Sequence, residues 1–129
     1  GCALALEAID IIINEKMIEN VRHLEPIFMG GLKNFEDLEF IGESRGIGLM
    51  GALEMVQDKK NKLPFDGSIS IGERVANKCI ENGLICRPLG PSIVLCPPFI
   101  TSEEEMGIIF DTLEKTLKEV FSEVKSLGQ

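Results

Sequence analysis

Histidine occurs once in these 129 residues, at His23, and the four cysteines, Cys2, Cys79, Cys86 and Cys96, form no Cys-x-x-Cys pair. A zinc centre needs a convergent set of nitrogen and sulfur ligands, so no metal site is expected. The cysteines lie among apolar neighbours and read as small core residues in a reducing, cytoplasmic setting. No apolar run is long enough to cross a bilayer, and no basic-then-apolar leader pattern is found. Basic residues are few: 13 stand against 21 acidic ones, for a net charge of −8, and only Lys59, Lys60 and Lys62 cluster. That balance argues against nucleic acid or an anionic membrane as a partner. Also missing are an initiating methionine and a capping residue ahead of Cys2-Ala-Leu-Ala-Leu-Glu-Ala-Ile9. A helix so apolar on most faces needs neighbours on most sides, and this opening reads as part of a longer chain.

What is present suffices for one compact domain with one core, since 44% of the residues are hydrophobic. The spacing predicts a buried helix over residues 1–14, broken at Asn14-Glu15-Lys16. A second helix follows, with Met17, Val21, Leu24, Phe28 and Leu32 on one stripe and Pro26 in its interior. Residues 39–44 and 47–56 read as two strands joined at Arg45-Gly46, followed by a polar loop to Ile69. Ser70 and Glu73 have capping-box spacing at the start of a helix whose stripe is Ile71, Val75, Cys79 and Ile80 and whose stop is Asn82-Gly83. Two short strands then flank a turn at Leu89-Gly90-Pro91-Ser92. Thr101 or Ser102 can cap a last helix, whose apolar stripe runs from Met106 through Phe110, Leu113, Leu117 and Phe121 to Val124. The order ααββαββα implies an α+β domain, its helices on one face of a small, mainly antiparallel sheet.

Three motifs invite a chemical reading. Gly46-x-Gly48-x-x-Gly51 matches the dinucleotide fingerprint in letters, but that mechanism needs a helix to open within the motif, and Ala52 to Val56 reads as strand. Glu43 and Arg45, two apart, suit a structural ion pair. Arg87 is different. It lies in an apolar hairpin with no acidic residue anywhere from Leu84 to Ser102. A guanidinium buried there costs several kcal/mol, roughly, unless an anion meets it. Either Arg87 reaches solvent, or its partner comes from another element, another chain or a substrate carboxylate held bidentately.

Four segments carry a family resemblance: Arg45-Gly-Ile-Gly-Leu-Met-Gly-Ala-Leu-Glu54, Leu63-Pro-Phe-Asp-Gly67, Gly83-Leu-Ile-Cys-Arg-Pro-Leu-Gly90 and Val94-Leu-Cys-Pro-Pro98. With the opening Gly-Cys-Ala-x-Ala-Leu, they resemble class III pyridoxal-phosphate-dependent aminotransferases of the ω-amino acid–pyruvate type, end to end. The resemblance implies that residues 1–129 are the C-terminal small domain of a fold-type-I aminotransferase. Its opening helix would continue from a missing large domain of the same chain, and the parent would be a homodimer. The parent would carry an amino group from an amine or ω-amino acid to pyridoxal 5'-phosphate and then to a keto acid such as pyruvate. In that family the arginine matching Arg87 binds the substrate carboxylate, while the Schiff-base lysine, the other cofactor contacts and the catalytic groups lie upstream. The alternatives are a non-catalytic module that binds a small anion and a dimerisation module using the apolar opening helix. On the enzymatic reading this chain alone shows no transaminase activity and holds no covalent cofactor. Dialysis of the isolated chain after incubation with stoichiometric pyridoxal phosphate should remove all cofactor absorbance; a retained visible band of a bound imine would reject the expectation.

Overall fold

A left-handed residue, Lys16 (φ 53°), separates the first two helices, α1 (Cys2–Asn14) and α2 (Met17–Asn34). The computed structural model describes residues 1–126. Helix α2 runs through Pro26 as one element and buries Leu24, Phe28 and Leu32 at four-residue spacing. After a 3-10 turn at Phe35–Asp37 come the strands β1 (Ile41–Ile47) and β2 (Met50–Met55). A second 3-10 turn, Gly67–Ile69, leads into α3 (Ile71–Glu81). The strands β3 (Arg87–Leu89) and β4 (Ser92–Leu95) and the long helix α4 (Glu103–Ser126) complete the described chain. All pairings are antiparallel in the order β1-β2-β4-β3, so the α+β class and the element order agree with expectation.

The first hairpin turns three residues later than the sequence suggests, at Gly48-Leu49 rather than Arg45-Gly46. Gly48 takes φ +56°, which suits glycine, and its N–H donates to Glu25 Oε1 of α2 at 2.8 Å. Gly46 is instead a strand residue held close to its partner: a Cβ there would lie 2.5 Å from the Met50 carbonyl oxygen and 2.9 Å from Gly51 Cα.

The helix ends differ from expectation in an informative way. Ser70 adopts a left-handed backbone (φ 48°) and makes no cap bond, so the Ser70/Glu73 box does not form. The reciprocal box forms at α4, where Ser102 N–H donates to Glu105 Oε2 at 2.9 Å and Glu105 N–H to Ser102 Oγ at 3.2 Å. At the end of α3, Leu84 N–H bonds to the Cys79 carbonyl at 2.8 Å and Gly83 N–H to that of Ile80 at 3.0 Å, with Gly83 at φ +89°. This Schellman arrangement satisfies carbonyls that the helix leaves open.

Helices α2, α3 and α4 cover one face of the sheet. Leu53, Met55, Ile93 and Leu95 point into a core shared with Phe28, Val75, Leu113 and Leu117. Glycine permits the closest approaches: a Cβ on Gly51 would overlap Leu32 Cδ1 and lie 2.9 Å from Phe28 Cε1, and one on Gly31 would overlap the Phe110 ring. Phe40 meets Phe65 and Phe121 edge-on, with centroids 5.4 and 5.1 Å away.

Three expectations about burial are corrected. Helix α1 buries no residue, and Leu4 is 77% exposed, because nothing in the described chain covers its apolar surface. Ile80 is exposed, lying off the α3 stripe. Of the cysteines only Cys79 is fully buried; Cys86 is half-buried, and Cys2 and Cys96 are exposed.

The open edge of β1 is capped by Glu36, whose Oε1 accepts from Ser44 N–H at 3.0 Å and Ser44 Oγ at 2.5 Å while Oε2 accepts from Lys33 at 2.6 Å. Hydrogen bonds from Lys33 and then Ser44 hold its carboxyl at about 2, against 4.5 ordinarily. The contribution to stability is thus complete above pH 4.5 and is lost as pH falls through about 2. Thermal melts should show wild type above Glu36→Gln near neutrality, with the gap closing across that acidic window; a gap independent of pH would refute the role. Gly51→Ala should cost about 1–3 kcal/mol in urea unfolding, as overpacking of a filled core does, and an unchanged midpoint would refute the close approach.

Candidate functional site

Strand pairing decides which side chains share the face of the sheet that the helices leave open. Leu53 and Ile93 are register partners on the helix side, so their neighbours along each strand point the other way. Arg45 pairs with Ala52, Ala52 with Val94, and Val94 with Arg87, which sets these four residues in one row across all four strands. Two arginines thus occupy the ends of one row on the open face, about 14 Å apart at ordinary strand spacing, with two small apolar residues between them.

Their electrostatic situations are opposite. Arg45 Nη1 donates to Glu54 Oε2 at 2.7 Å and lies 3.6 Å from Glu43 Oε2. The Glu54 contact, outweighing partial burial, raises the pKa of the guanidinium further. The expected Glu43–Arg45 pair is therefore present as the weaker half of a triad. Arg87 is exposed, and among the described residues it takes part in no ion pair or side-chain hydrogen bond. Of the possibilities open for it in the sequence, the structure shows the first: its side chain reaches solvent. Pro88 follows it on the edge strand, and Gly90 (φ +57°) turns the chain into β4. A planar guanidinium with free donors, presented from a stiff edge beside an apolar floor, is suited to a carboxylate that arrives from outside this chain.

The other candidates do not join it. Gly46, Gly48 and Gly51 lie in the β1–β2 hairpin, no helix opens there, and the Glu25 carboxylate already takes the Gly48 N–H that a phosphate would need. His23 is exposed and shares a 2.7 Å hydrogen bond with Glu103 Oε1, tying α2 to the first turn of α4. A cleft of about 340 Å³ lies beside the β3–β4 turn, lined in part by Phe65, Asp66, Glu73 and Pro88. Hydrogen bonds from Ser68 keep the Asp66 carboxyl below its usual range, so the cleft carries negative charge and disfavours an anion. No group of three or more potential metal ligands converges among the described residues, and none of their helices is long and apolar enough to cross a membrane.

The lysines offer no anchor for a carbonyl cofactor. Lys78 is half-exposed between Glu81 and Glu119, and the remaining eight are exposed. Lys59 donates to the carbonyls of Glu36 and Leu38, and Lys125 pairs with Glu39. A Schiff-base lysine is oriented by a site that surrounds it, whereas these side chains lie on the surface, and the contacts with Glu81 and then Glu119 raise the pKa of Lys78 and hold it as the ammonium. The described residues therefore do not fit covalent pyridoxal phosphate.

Sequence reading singled out Arg87 but missed the row that gives it meaning. The available signal was the alternation of Leu53 and Met55 against Ala52 and Glu54; misplacing the turn at Arg45 concealed its extension to β1.

With this geometry in hand, comparison with known proteins defines the class. The chain belongs to the class III aminotransferases: the family model described as Aminotransferase class-III matches residues 1–117. It is 36% identical over 118 residues to the adenosylmethionine-8-amino-7-oxononanoate aminotransferase of Methanocaldococcus jannaschii, covering 92% of this chain and 26% of that protein. Over 127 residues it is 36% identical to gamma aminobutyrate transaminase 1, mitochondrial, of Solanum lycopersicum, covering 98% of this chain and 25% of the relative. Among solved structures, the pyridoxamine-phosphate-bound (PMP-bound) form of an aminotransferase from Vibrio fluvialis superposes with a TM-score of 0.94 at 58% identity, covering 96% of this chain and 27% of that one. An omega-aminotransferase from Paracoccus denitrificans gives 0.94 at 59% identity, covering 96% and 28%. The chain spans about a quarter of the length of these relatives.

Proposed function

We propose that residues 1–129 are the C-terminal small domain of a pyridoxal-phosphate-dependent aminotransferase that moves an amino group from an amine or ω-amino acid to a keto acid such as pyruvate. In it Arg87 binds the substrate carboxylate. The observation that carries this reading is the contrast along one row of the sheet: Arg45 is satisfied by Glu54 and Glu43, and Arg87 is exposed without a carboxylate. The similarity to an omega-aminotransferase at 59% identity supports the substrate class. The cofactor, when bound, supplies the electron sink for transamination. Its lysine and phosphate contacts are assigned to the part of the enzyme outside this chain, because the lysines described here are hydrated or paired.

The apolar surface of α1, with Leu4, Leu6, Ile9 and Ile13 all more than half exposed, supports a covered position against that missing part or against the second subunit of a homodimer. We place the enzyme in a reducing cytoplasm, in keeping with four unpaired thiols.

Arg87 has a defined chemical task in this reading. Its fork of N–H donors orients a carboxylate and compensates its charge, while Val94 and Ala52 beside it present no competing polar group. A charge-assisted bidentate contact contributes about 1.5–3 kcal/mol. Arg87→Ala in the full-length enzyme should therefore lower kcat/KM for pyruvate roughly 10- to 100-fold while sparing amine donors that lack a carboxylate. Arg87→Lys should restore only part, since an ammonium lacks the fork. Arg45→Ala, on the same row but internally paired, serves as the control and should leave keto-acid kinetics within about twofold, as expected for an exposed ion pair. Unchanged pyruvate kinetics in Arg87→Ala would reject the assignment.

A further inference from the structure

Among the asparagines of this chain only Asn82 is followed by glycine, and it sits where α3 ends. That dipeptide is chemically labile, because a glycine nitrogen, with no side chain beside it, readily attacks the preceding carboxamide. Here both reacting groups are restrained. The Gly83 N–H donates to the Ile80 carbonyl at 3.0 Å, as part of the arrangement that closes α3. The Asn82 carboxamide is clasped by α4. Its Nδ2 donates to Thr116 Oγ1 at 2.9 Å and to Glu119 Oε2 at 3.1 Å, while Oδ1 accepts from Lys115 Nζ at 3.4 Å. Thr116 is completely buried and donates its own proton to the Thr112 carbonyl at 2.8 Å, which leaves Oγ1 free to accept. The backbone adds a third restraint. Asn82 has ψ 3°, which sets the Gly83 nitrogen over the Asn82 nitrogen, whereas ring closure needs it on the Cβ side.

We propose that Asn82-Gly83 is a deamidation site gated by release of the α3 end from α4, and that its product cannot refasten the clasp. Once the clasp opens and ψ rotates, the Gly83 nitrogen gives its proton to hydroxide and attacks Asn82 Cγ. The Cγ–Nδ2 bond breaks, and Nδ2 leaves as ammonia after taking a proton from water, which regenerates the hydroxide. A five-membered imide remains. Water adds to one of its two carbonyls and that C–N bond breaks, giving aspartate or isoaspartate. One water is consumed and one ammonia released, with no change of oxidation state. Either product has a carboxylate where the two N–H donors had been. It would face Glu119, beside Glu81, with no proton to share, and Lys78 and Lys115 are already engaged with those two carboxylates. The buried Thr116 oxygen would lose its Asn82 donor as well. Like charge and lost bonds would therefore free the end of α3, and with it the chain leading to β3. This inference stands independently of the role given to Arg87.

The test ages the full-length protein at mildly alkaline pH beside a sample unfolded in guanidinium, followed by brief tryptic digestion under mildly acidic conditions. Trypsin does not cut between Arg87 and Pro88, so one peptide runs from Cys79 to Lys115. It holds no other Asn or Gln, and its mass gain from amide to acid reports Asn82 alone. The expected result is conversion in the folded protein that is slower than in the unfolded chain by roughly tenfold or more, as local opening of a helix end requires. Glu119→Ala and Thr116→Val each remove one acceptor and should speed conversion several-fold in the folded protein, leaving the unfolded rate unchanged. Glu119 is half-exposed, so its variant keeps the test decisive should Thr116→Val fail to fold. Asn82→Asp should melt below wild type. Equal rates in folded and unfolded protein, no conversion in the folded protein, or a rate unmoved by Glu119→Ala would overturn the gate. A melt of Asn82→Asp matching wild type would overturn the loss of the clasp.

Discussion

Leu53 and Met55 on β2, and Ile93 and Leu95 on β4, can reach the helices only if β2 lies between β1 and β4 in its observed register. Because side chains alternate, a slip of one residue would turn this apolar set to solvent and bring Ala52, Glu54 and Val94 under the helices. Burial therefore locks the register, and the register places every residue of the opposite face. The row from Arg45 to Arg87 is a by-product of the core. Gly51 reinforces it, since only a residue without a side chain fits beneath Leu32 and Phe28 at that point.

Charge is distributed so that one cation on this face remains available. Carboxylates take up most other opportunities: Glu25 holds the hairpin turn, Glu36 the edge of β1, Glu54 and Glu43 hold Arg45, and Glu103 meets His23. Each pairing is exposed or nearly so, and each contributes modestly. Together they settle orientation more than stability. A carboxylate at position 94 would have faced Arg87 directly across the strand pair, and the residue there is valine. An arginine left in this state has a strong, directional capacity for an incoming carboxylate, in keeping with the function proposed for a class III aminotransferase small domain.

The apolar surfaces complete the picture of a domain shaped for association. Helix α1 offers Leu4, Leu6, Ile9 and Ile13, and the open side of the sheet adds Ile47, Met50 and Leu89. Large apolar side chains gathered on one helix are the kind of surface that other elements commonly cover. The chain spans about a quarter of its relatives' length, and surfaces of this kind suit contact with the remainder of such an enzyme.

Helix periodicity was legible from the residues because it is local. The stripes of α2 and α4, the Asn82-Gly83 stop, the β3–β4 turn and the α+β order follow from spacing and from glycine and proline chemistry. Capping was ambiguous: Ser70-x-x-Glu73 and Ser102-x-x-Glu105 have the same pattern, and the left-handed backbone at Ser70, entered from a 3-10 turn, left only the second able to form. The first hairpin turn depended on a contact from α2, 23 residues away, which no local pattern contains. The isolation of Arg87 from acidic residues was visible in the sequence by itself, as was the resemblance that suggested its use. Only the tertiary structure decided that Arg45 shares its row and is already neutralised, and that α1 is bare. Each of these depends on residues distant in sequence becoming neighbours through strand register and helix packing.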